Sequence, residues 1–523
     1  MADATRRNCL WILLFFGVSL ATGWSQEVSD QADADPEEQT STQVVSQDAP
    51  PSQDNVAPQA QTEATYSTAG MEMPPSAEAP LRNYLLLGIT ANESVQYAPA
   101  NDFSGPYQTN SVTRVFGSLD YLRTKGRSQT AIDYRGGGFF FVNSDYSNSS
   151  DQVQQLTAQQ RISWHRTRVI LADSLSNFPG GDFGAGWFGG ASAYNLGLPA
   201  GTTIPPGANV SDFFGFNTFG GIGQANYITN VALAELTQEV SPRSALTFAS
   251  AYAVTDHIGN QDFINSQQAS AAASYNYQLT PRSAIGAFYG YQYFRFPGGN
   301  NVMTNTAQAT FQHRISSRTG FMLGGGPEFT KFHFSVDLTL GSTVIPFTTT
   351  YDQVGAAAYA SLYHSFAVSA LSLWYDHQVT SGSGLFAGAS SDIAQFSLSR
   401  RVSRAWGVSF DAGFVRLSSI GNASTGILGN SYDYGFVGAG VRRRLGHRLS
   451  VYASYQFNDE NFNNSSCATT SNCTGFVQRH VALVGISWRS RPVVLGGGDD
   501  QNPGPQAFGS TPVGINGNQP FLP

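Results

Sequence analysis

From about residue 82 to residue 490 the chain alternates apolar and polar positions with period two. Ala269, Ala271, Ala273, Tyr275, Tyr277 and Leu279 fall on one face, with Gln268, Ser270, Ser274, Asn276 and Gln278 on the other. Trp406, Val408, Phe410, Ala412 and Phe414 alternate with Gly407, Ser409, Asp411 and Gly413 in the same way. Successive side chains of a strand point to opposite faces, so this pattern predicts strands with one apolar and one polar face. The runs last about 12–15 residues. Strands of globular proteins average about 5–6 residues, whereas a strand that crosses a bilayer at a tilt needs about 9–11. Long strands that are apolar on one side and polar on the other predict a closed transmembrane antiparallel up-and-down β-barrel, an all-β fold. A large soluble β-solenoid would instead show short repeats of fixed length, and the sequence has none.

A recurrent turn sets the strand count. Val240-Ser241-Pro242-Arg243-Ser244 matches Leu279-Thr280-Pro281-Arg282-Ser283, and looser copies lie at 315–319, 401–404 and 444–448. Proline presets φ for a turn, and a Ser or Thr hydroxyl bonds nearby backbone. With further turns near 123–128, 163–168 and 364–367 there are eight short turns, hence eight hairpins. They are predicted at 112–123/128–141, 152–163/167–178, 226–240/243–256, 264–279/283–296, 304–315/319–332, 348–363/367–380, 389–401/405–418 and 431–444/448–459. One strand precedes them (82–97) and one follows (475–489), giving about eighteen, with 16–20 left open because the first is the least regular. An even count places both ends of the barrel on one side, with the short turns there and the long connections on the other.

The flanks differ from this body. Residues 1–26 read as a secretory signal: Arg6 and Arg7, an apolar run from Leu10 to Val18, and small residues for cleavage near 23–26. That run is too short to span a bilayer as a helix, and Cys9 precedes it, so no lipid anchor is expected. Residues 27–80 carry eleven acids, seven prolines and no Lys or Arg, the composition of a disordered acidic periplasmic linker, with an acidic docking segment as the alternative. Residues 491–523 form a low-complexity tail.

Composition sharpens this picture. Charged residues make up 12% of the chain, about half the usual share for soluble domains, and aromatic residues 13%. Of 28 basic residues only Lys125 and Lys331 are lysines. Most of the arginines sit at or beside the short turns, which leaves one face of each strand uncharged for lipid and reads as solvated rim charge, or as a ring that attracts anions. Trp164, Tyr277, Trp406 and Trp488 at one end of the strands, and Tyr293 and Phe294 at the other, are expected to form the two interfacial aromatic girdles. A net charge of −8 gives no reason to expect nucleic acid as a partner.

Candidate chemistry lies in the lumen and the long connections. The third outward connection, about 179–225, holds 13 glycines and eight aromatics. A loop this long is usually functional, and so many aromatics argue against simple disorder. Asp182, Phe183, Trp187, Phe188, Tyr194, Asp212, Phe213 and Phe214 are therefore candidates for a pore-constricting loop. A packed surface loop and a partner contact are the alternatives. Parity turns Asp120, Glu235, Glu239, Asp376 and Asp411 toward the lumen, with Arg161 and Arg314 near its inner mouth. Gln, Ser, Thr and Asn dominate the rest of that face. Cys467 and Cys473, six apart in the last outward loop, are expected to form a disulfide in an oxidising compartment. Asp376 and His377 are adjacent, so their side chains fall on opposite faces and make a poor catalytic dyad. Nothing singles out a nucleophile, a metal site or a cofactor fingerprint, so no enzyme is expected.

The repeated turn at 240–244 and 279–283, set between alternating strands, resembles that of uncharacterised outer-membrane β-barrel porins of the Gram-negative type. The resemblance covers about 82–490. It implies signal trimming, barrel-assembly machinery as a partner, outer-membrane lipid around the wall and porin activity. Such barrels commonly end at an aromatic residue. Trp488 fits, although 35 residues follow it. At 16–18 strands a barrel is wide enough for an aqueous channel. The expected function is passive diffusion of small hydrophilic solutes. A non-conducting structural or adhesive surface barrel, or an exit pore for an exported polymer, is the alternative, and a homo-oligomer is left open.

Overall fold

The computed structural model describes residues 83–101, 104–142, 150–178, 226–258, 264–316, 318–340, 343–382, 386–420, 431–463 and 476–494. Eighteen long strands follow one another: β1 (Asn83–Asn101), β2 (Ser104–Lys125), β3 (Ser128–Val142), β4 (Ser150–Ser163), β5 (Thr167–Phe178), β6 (Asn226–Ser241), β7 (Ser244–Ile258), β8 (Ser266–Thr280) and β9 (Ser283–Arg295). Then come β10 (Asn301–Ser316), β11 (Thr319–Leu340), β12 (Thr343–Ser365), β13 (Ser369–Thr380), β14 (Ala389–Arg401), β15 (Trp406–Ser419), β16 (Ser431–Arg444), β17 (Leu449–Asn463) and β18 (Phe476–Arg489). Each pairs antiparallel with the next, and β18 pairs back onto β1 through Gly88↔Arg489 to Tyr97↔His480, closing the barrel. A two-residue strand, β19 (Val493–Val494), adds to the start of β1 at Tyr84 and Leu85. Closure leaves no sheet edge to hydrogen-bond in lipid, the condition a β-structure must meet to span a membrane.

The predicted strands fall close to the observed ones. The main departures are in two hairpins. β2 starts at Ser104 rather than 112, and β11 and β12 extend to Leu340 and from Thr343 rather than stopping at 332 and starting at 348. Both extensions lie at the far ends from the short turns. There no lipid imposes an apolar outer face, so alternation fades while the backbone ladder continues.

The short turns show why their sequence recurs. Ser241 Oγ accepts the N–H of Arg243, Thr280 Oγ1 that of Arg282, and Ser316 Oγ that of Arg318, each at 3.2 Å. The hydroxyl two residues back satisfies a donor that the turn would leave free. The same turns are stitched to their neighbours: Gln278 N–H donates to Arg243 O and Arg314 N–H to Arg282 O, both at 2.8 Å. The rim is thereby tied from turn to neighbouring strand by backbone hydrogen bonds.

The outer face carries the exposed large apolar side chains, such as Leu87, Ile89, Tyr275, Tyr289, Phe410 and Phe414. On β15 it runs from Trp406 to Phe414, about 20 Å of height at a 35–45° tilt. That approaches the ~25 Å apolar band of such barrels. Arg443 lies over the Trp406 ring at 5.2 Å, a charge held at the rim by an aromatic face. Phe294 corrects the girdle expectation. It is 1% exposed on the inner face, one position out of phase with outward Tyr293.

The outer face is also not uncharged. Glu93 lies on it four residues beyond Ile89, the register partner of Trp488. That is about 10 Å into the apolar belt. Ser111 and Thr113 on β2 donate their hydroxyls to its two oxygens. Asp173 on β5 is likewise outward and accepts from Asn230 Nδ2 at 2.8 Å. Near the outer edge, register pairs His377↔Asp392, Asp392↔Arg416, Arg416↔Asp433 and Asp433↔Asn461 line up a polar row across five strands. His377 Nδ1 sits 2.7 Å from Asp392 Oδ1, and Arg416 Nε 3.7 Å from Asp433 Oδ1.

Candidate functional site

The inner face is set by strand parity, and register fixes which residues share it. Asp120 on β2 faces Asp133 on β3, with Arg135 Nε 3.3 Å from Asp133 Oδ1. Arg161 on β4 is paired with Ile170 on β5, which is paired in turn with Glu235 on β6. Glu235 is buried, 3.7 Å from Arg168 Nη2, and accepts from Thr237 Oγ1 at 3.1 Å. Glu239 lies four residues further along β6, toward the turn into β7. Asp411 on β15 accepts from Ser397 Oγ on β14 at 2.7 Å. Asp376 on β13 is buried on the inner face, whereas His377 is on the outer one. Arg314 on β10 is at the short-turn end, its Nη2 3.4 Å from Pro281 O. The seven charged candidates thus share one face without forming one cluster.

Other inner-face charges went unnoticed in the sequence. Arg114 on β2 is fully buried. Its Nη1 donates to Ser94 Oγ at 2.6 Å, and its guanidinium lies 5.5 Å from the Phe139 ring centre. Arg479 on β18 is 3.6 Å from Glu460 on β17, with side chains 4% and 5% exposed. Glu328 on β11 is buried as well. Parity would have found all of them. They lie away from the short turns, where the arginine clustering drew attention.

Between these charges much of the inner face is polar. Thr157 and Ser174, Thr229 and Thr255, and Thr304 and Thr330 meet hydroxyl to hydroxyl at 3.2–3.3 Å across neighbouring strands. One arc differs. From β13 to β16 the inner face presents Ile393, Val415, Leu417, Tyr432, Tyr434 and Phe436, with Trp374 packed against them. The lumen therefore has a polar side and an apolar side.

The outer rim holds a feature with no counterpart in the sequence reading. β12 pairs with β13 only over Ala358–Ser365 and Ala370–His377. Above that point β12 continues paired to β11 alone among the described residues, and residues 350–356 are exposed at every position, on both faces. β13 above His377 turns the other way, into the lumen. Val379, outward by parity, is buried in a cluster with Phe294, Phe296, Val302, Phe332 and Ile420. The described residues of the connection to β14, 381–382 and 386–388, follow it inward. A Cβ on Gly388 would lie 3.0 Å from Val302 Cγ2 of β10, and Gly388 has φ +94°, where only glycine is unstrained. Phe386 N–H bonds Gly382 O at 3.2 Å, and Ile420 N–H bonds Gly388 O at 3.3 Å. Phe386 is buried there against Ala389, Ile393, Val415 and Leu417 of the inner face.

The pore-loop candidates Asp182, Phe183, Trp187, Phe188, Tyr194, Asp212, Phe213 and Phe214, and the cysteines Cys467 and Cys473, lie outside the described residues. Among the described residues no group of three or more His, Cys, Asp or Glu could hold a metal ion.

No known protein family matches the chain, and no curated protein matches it. Among solved structures, the outer-membrane protein OpdK of Pseudomonas aeruginosa is similar at 11% identity and a TM-score of 0.38, over 78% of this chain and 99% of that one. OpdQ of the same organism is similar at 9% identity and a TM-score of 0.36, over 79% and 98%. OccAB3 of Acinetobacter baumannii is similar at 8% identity and a TM-score of 0.39, over 78% and 99%.

Proposed function

We propose that the barrel is a channel in a bacterial outer membrane through which small hydrophilic solutes diffuse passively. One observation carries this reading: much of the inner face is lined by Ser, Thr, Gln and Asn side chains, and hydroxyls meet across neighbouring strands at Thr157–Ser174, Thr229–Thr255 and Thr304–Thr330. A wall lined by such small polar groups gives a hydrated solute a polar path. Asp120, Glu235, Glu239, Asp376, Asp411, Arg161 and Arg314 are assigned to line this path. In the same reading the connection 179–225, through Phe183, Trp187, Phe188, Phe213 and Phe214, constricts it. The Cys467–Cys473 disulfide, removal of the signal near residues 23–26 and insertion by barrel-assembly machinery complete the proposal.

The inward tip around Phe386 favours a second reading, a non-conducting surface barrel. Planar-bilayer conductance separates the two. The channel reading expects steady conductance that rises when residues 179–225 are replaced by a short linker. Absence of conductance in both proteins would exclude it.

A further inference from the structure

The wall is continuous on the side of the short turns but not at the outer rim between β12 and β13. Continuing their register would set Ala356 against Val379 and Gly355 against Thr380, yet the ladder ends at Ala358↔His377. What joins the wall above that point is a side chain. Glu328 of β11, two strands away from β13, accepts the N–H of Val379 through Oε2 at 3.2 Å, and the same oxygen accepts from Thr306 Oγ1 at 3.3 Å. The register partner of Glu328 on β12 is Gly355, and a Cβ there would lie 4.0 Å from Glu328 Oε1. The carboxylate thus passes across a residue with no side chain to reach the next strand.

The surfaces on either side of this seam are apolar. On the lumen side are Phe332, Val302, Phe294 and Val379. On the outer side Phe329 and Val354, direct register partners, are 50% and 71% exposed, the last apolar pair before Lys331 and Asp352. That change from apolar to charged partners marks the outer edge of the belt on these strands. The seam therefore lies where the outer leaflet meets water, with apolar side chains on both its lumen and its outer side.

We propose that the β12–β13 seam is a lateral portal, through which an amphiphile with a single apolar chain passes between the outer leaflet and the lumen. Two properties suit it to this. Parting β12, together with its ladder partner β11, from β13 there breaks the Glu328–Val379 hydrogen bond and the apolar contact of Val379 with Phe332 rather than a backbone ladder. The apolar chain of the solute can also slide along Phe332 and Val379 while its polar head stays with the Thr304, Thr306 and Thr330 hydroxyls. The inference rests on the reading of the lumen as an open path and adds a second, lateral entrance to it.

The test uses the full-length protein in liposomes with cysteines at Ala356→Cys and Val379→Cys, joined by a cleavable bis-maleimide. A fluorescent dodecanoate reports amphiphile passage, and swelling in arabinose reports hydrophilic passage. The expected result is a tenfold or greater loss of dodecanoate flux in the cross-linked form, restored on cleavage, with swelling the same in both forms. Glu328→Ala, which removes the pin, is expected to raise dodecanoate flux. Dodecanoate flux that is absent from the unlinked protein, unaffected by the cross-link, or reduced only in step with swelling would overturn the portal. Failure of arabinose to pass through unlinked protein would overturn the diffusion reading instead, because the dodecanoate signal is read separately.

Discussion

Glu328 and Val379 are linked by a carboxylate-to-backbone hydrogen bond of 3.2 Å that spans the place of a missing strand pairing. A hydrogen bond to a charged group contributes about 1.5–3 kcal/mol. Glu328→Ala is therefore expected to lower stability by about that amount, and Glu328→Gln, which keeps a carbonyl acceptor, by less than half of it. Urea unfolding in detergent micelles, followed by loss of β-sheet signal, measures both. Equal losses would show that the charge, and not the hydrogen bond, does the holding.

The tip of the β13–β14 connection depends on Gly388 for two separate reasons, its φ of +94° and the 3.0 Å approach a Cβ would make to Val302 Cγ2. Gly388→Ala is expected to destabilise the tip by about 1–3 kcal/mol. Adding Val302→Ala relieves the contact but not the backbone strain, so the double variant should recover only part of the loss. Amide exchange at Ile420, whose N–H bonds Gly388 O, is the local readout and should quicken in the order native, double, single.

Most of the barrel was legible because the bilayer writes it into the sequence. Lipid demands an apolar side chain at every second position, and the hydroxyl-capped turns at Ser241, Thr280 and Ser316 repeat a recognisable pattern. What was not legible follows from the same physics. Phe294 is apolar but inward, so parity between Tyr293 and Phe294 could be settled only by register. Glu93 and Asp173 each break the apolar belt at one position, which a run of otherwise regular alternation hides. The seam could not be foreseen at all. It depends on Glu328 meeting Gly355 across a hairpin and then Val379, three positions with no shared local pattern. In the candidate site, parity could assign Asp376 and Asp411 to the inner face. It could not show that Ser397 binds Asp411 or that Arg114 lies over Phe139, because those contacts depend on stagger between strands.

Glu93 offers a test of the outer face. A charged side chain facing lipid at mid-depth is destabilising, less so for Glu than for Arg or Lys, whose cost is about 2–4 kcal/mol at the midplane. Glu93→Leu is expected to raise the heat-induced unfolding midpoint in lipid vesicles, by about 1 kcal/mol of stability, even though it removes the partner of the Ser111 and Thr113 hydroxyls. The same substitution in a protein whose β1–β2 face is covered by another protein would lower the midpoint instead. The sign of the change therefore reports what that face meets.

Arg479 and Glu460 are a nearly fully buried ion pair at 3.6 Å. Removing one member of such a pair strands a charge and costs about 3–5 kcal/mol, while replacing both with apolar residues of similar volume is often neutral. Arg479→Met alone should therefore be much less stable than Arg479→Met with Glu460→Leu. A urea unfolding series of the four proteins closes the cycle. A double variant as unstable as the single one would show that the pair contributes net stability.

On the proposal of an open lumen, the inner-face charges also fix how ions should pass. Three of the acids there sit beside a base, Asp133 with Arg135 at 3.3 Å, Glu235 with Arg168 at 3.7 Å, and Glu460 with Arg479 at 3.6 Å, and the remaining acids share the same face with Arg114, Arg161 and Arg314. A paired charge presents little net field to a passing ion, and salt screens the remainder over about 8–10 Å. Cation-to-anion permeability is therefore expected to stay within about threefold of unity, about 0.7 kcal/mol, in a potassium chloride gradient. Arg168→Ala removes the partner of Glu235 and should move the reversal potential toward cation selectivity. The shift should be largest at low salt, where the freed carboxylate is least screened. A strongly selective native protein, or a variant whose reversal potential does not move, would mean that the current does not pass along the wall that carries Glu235.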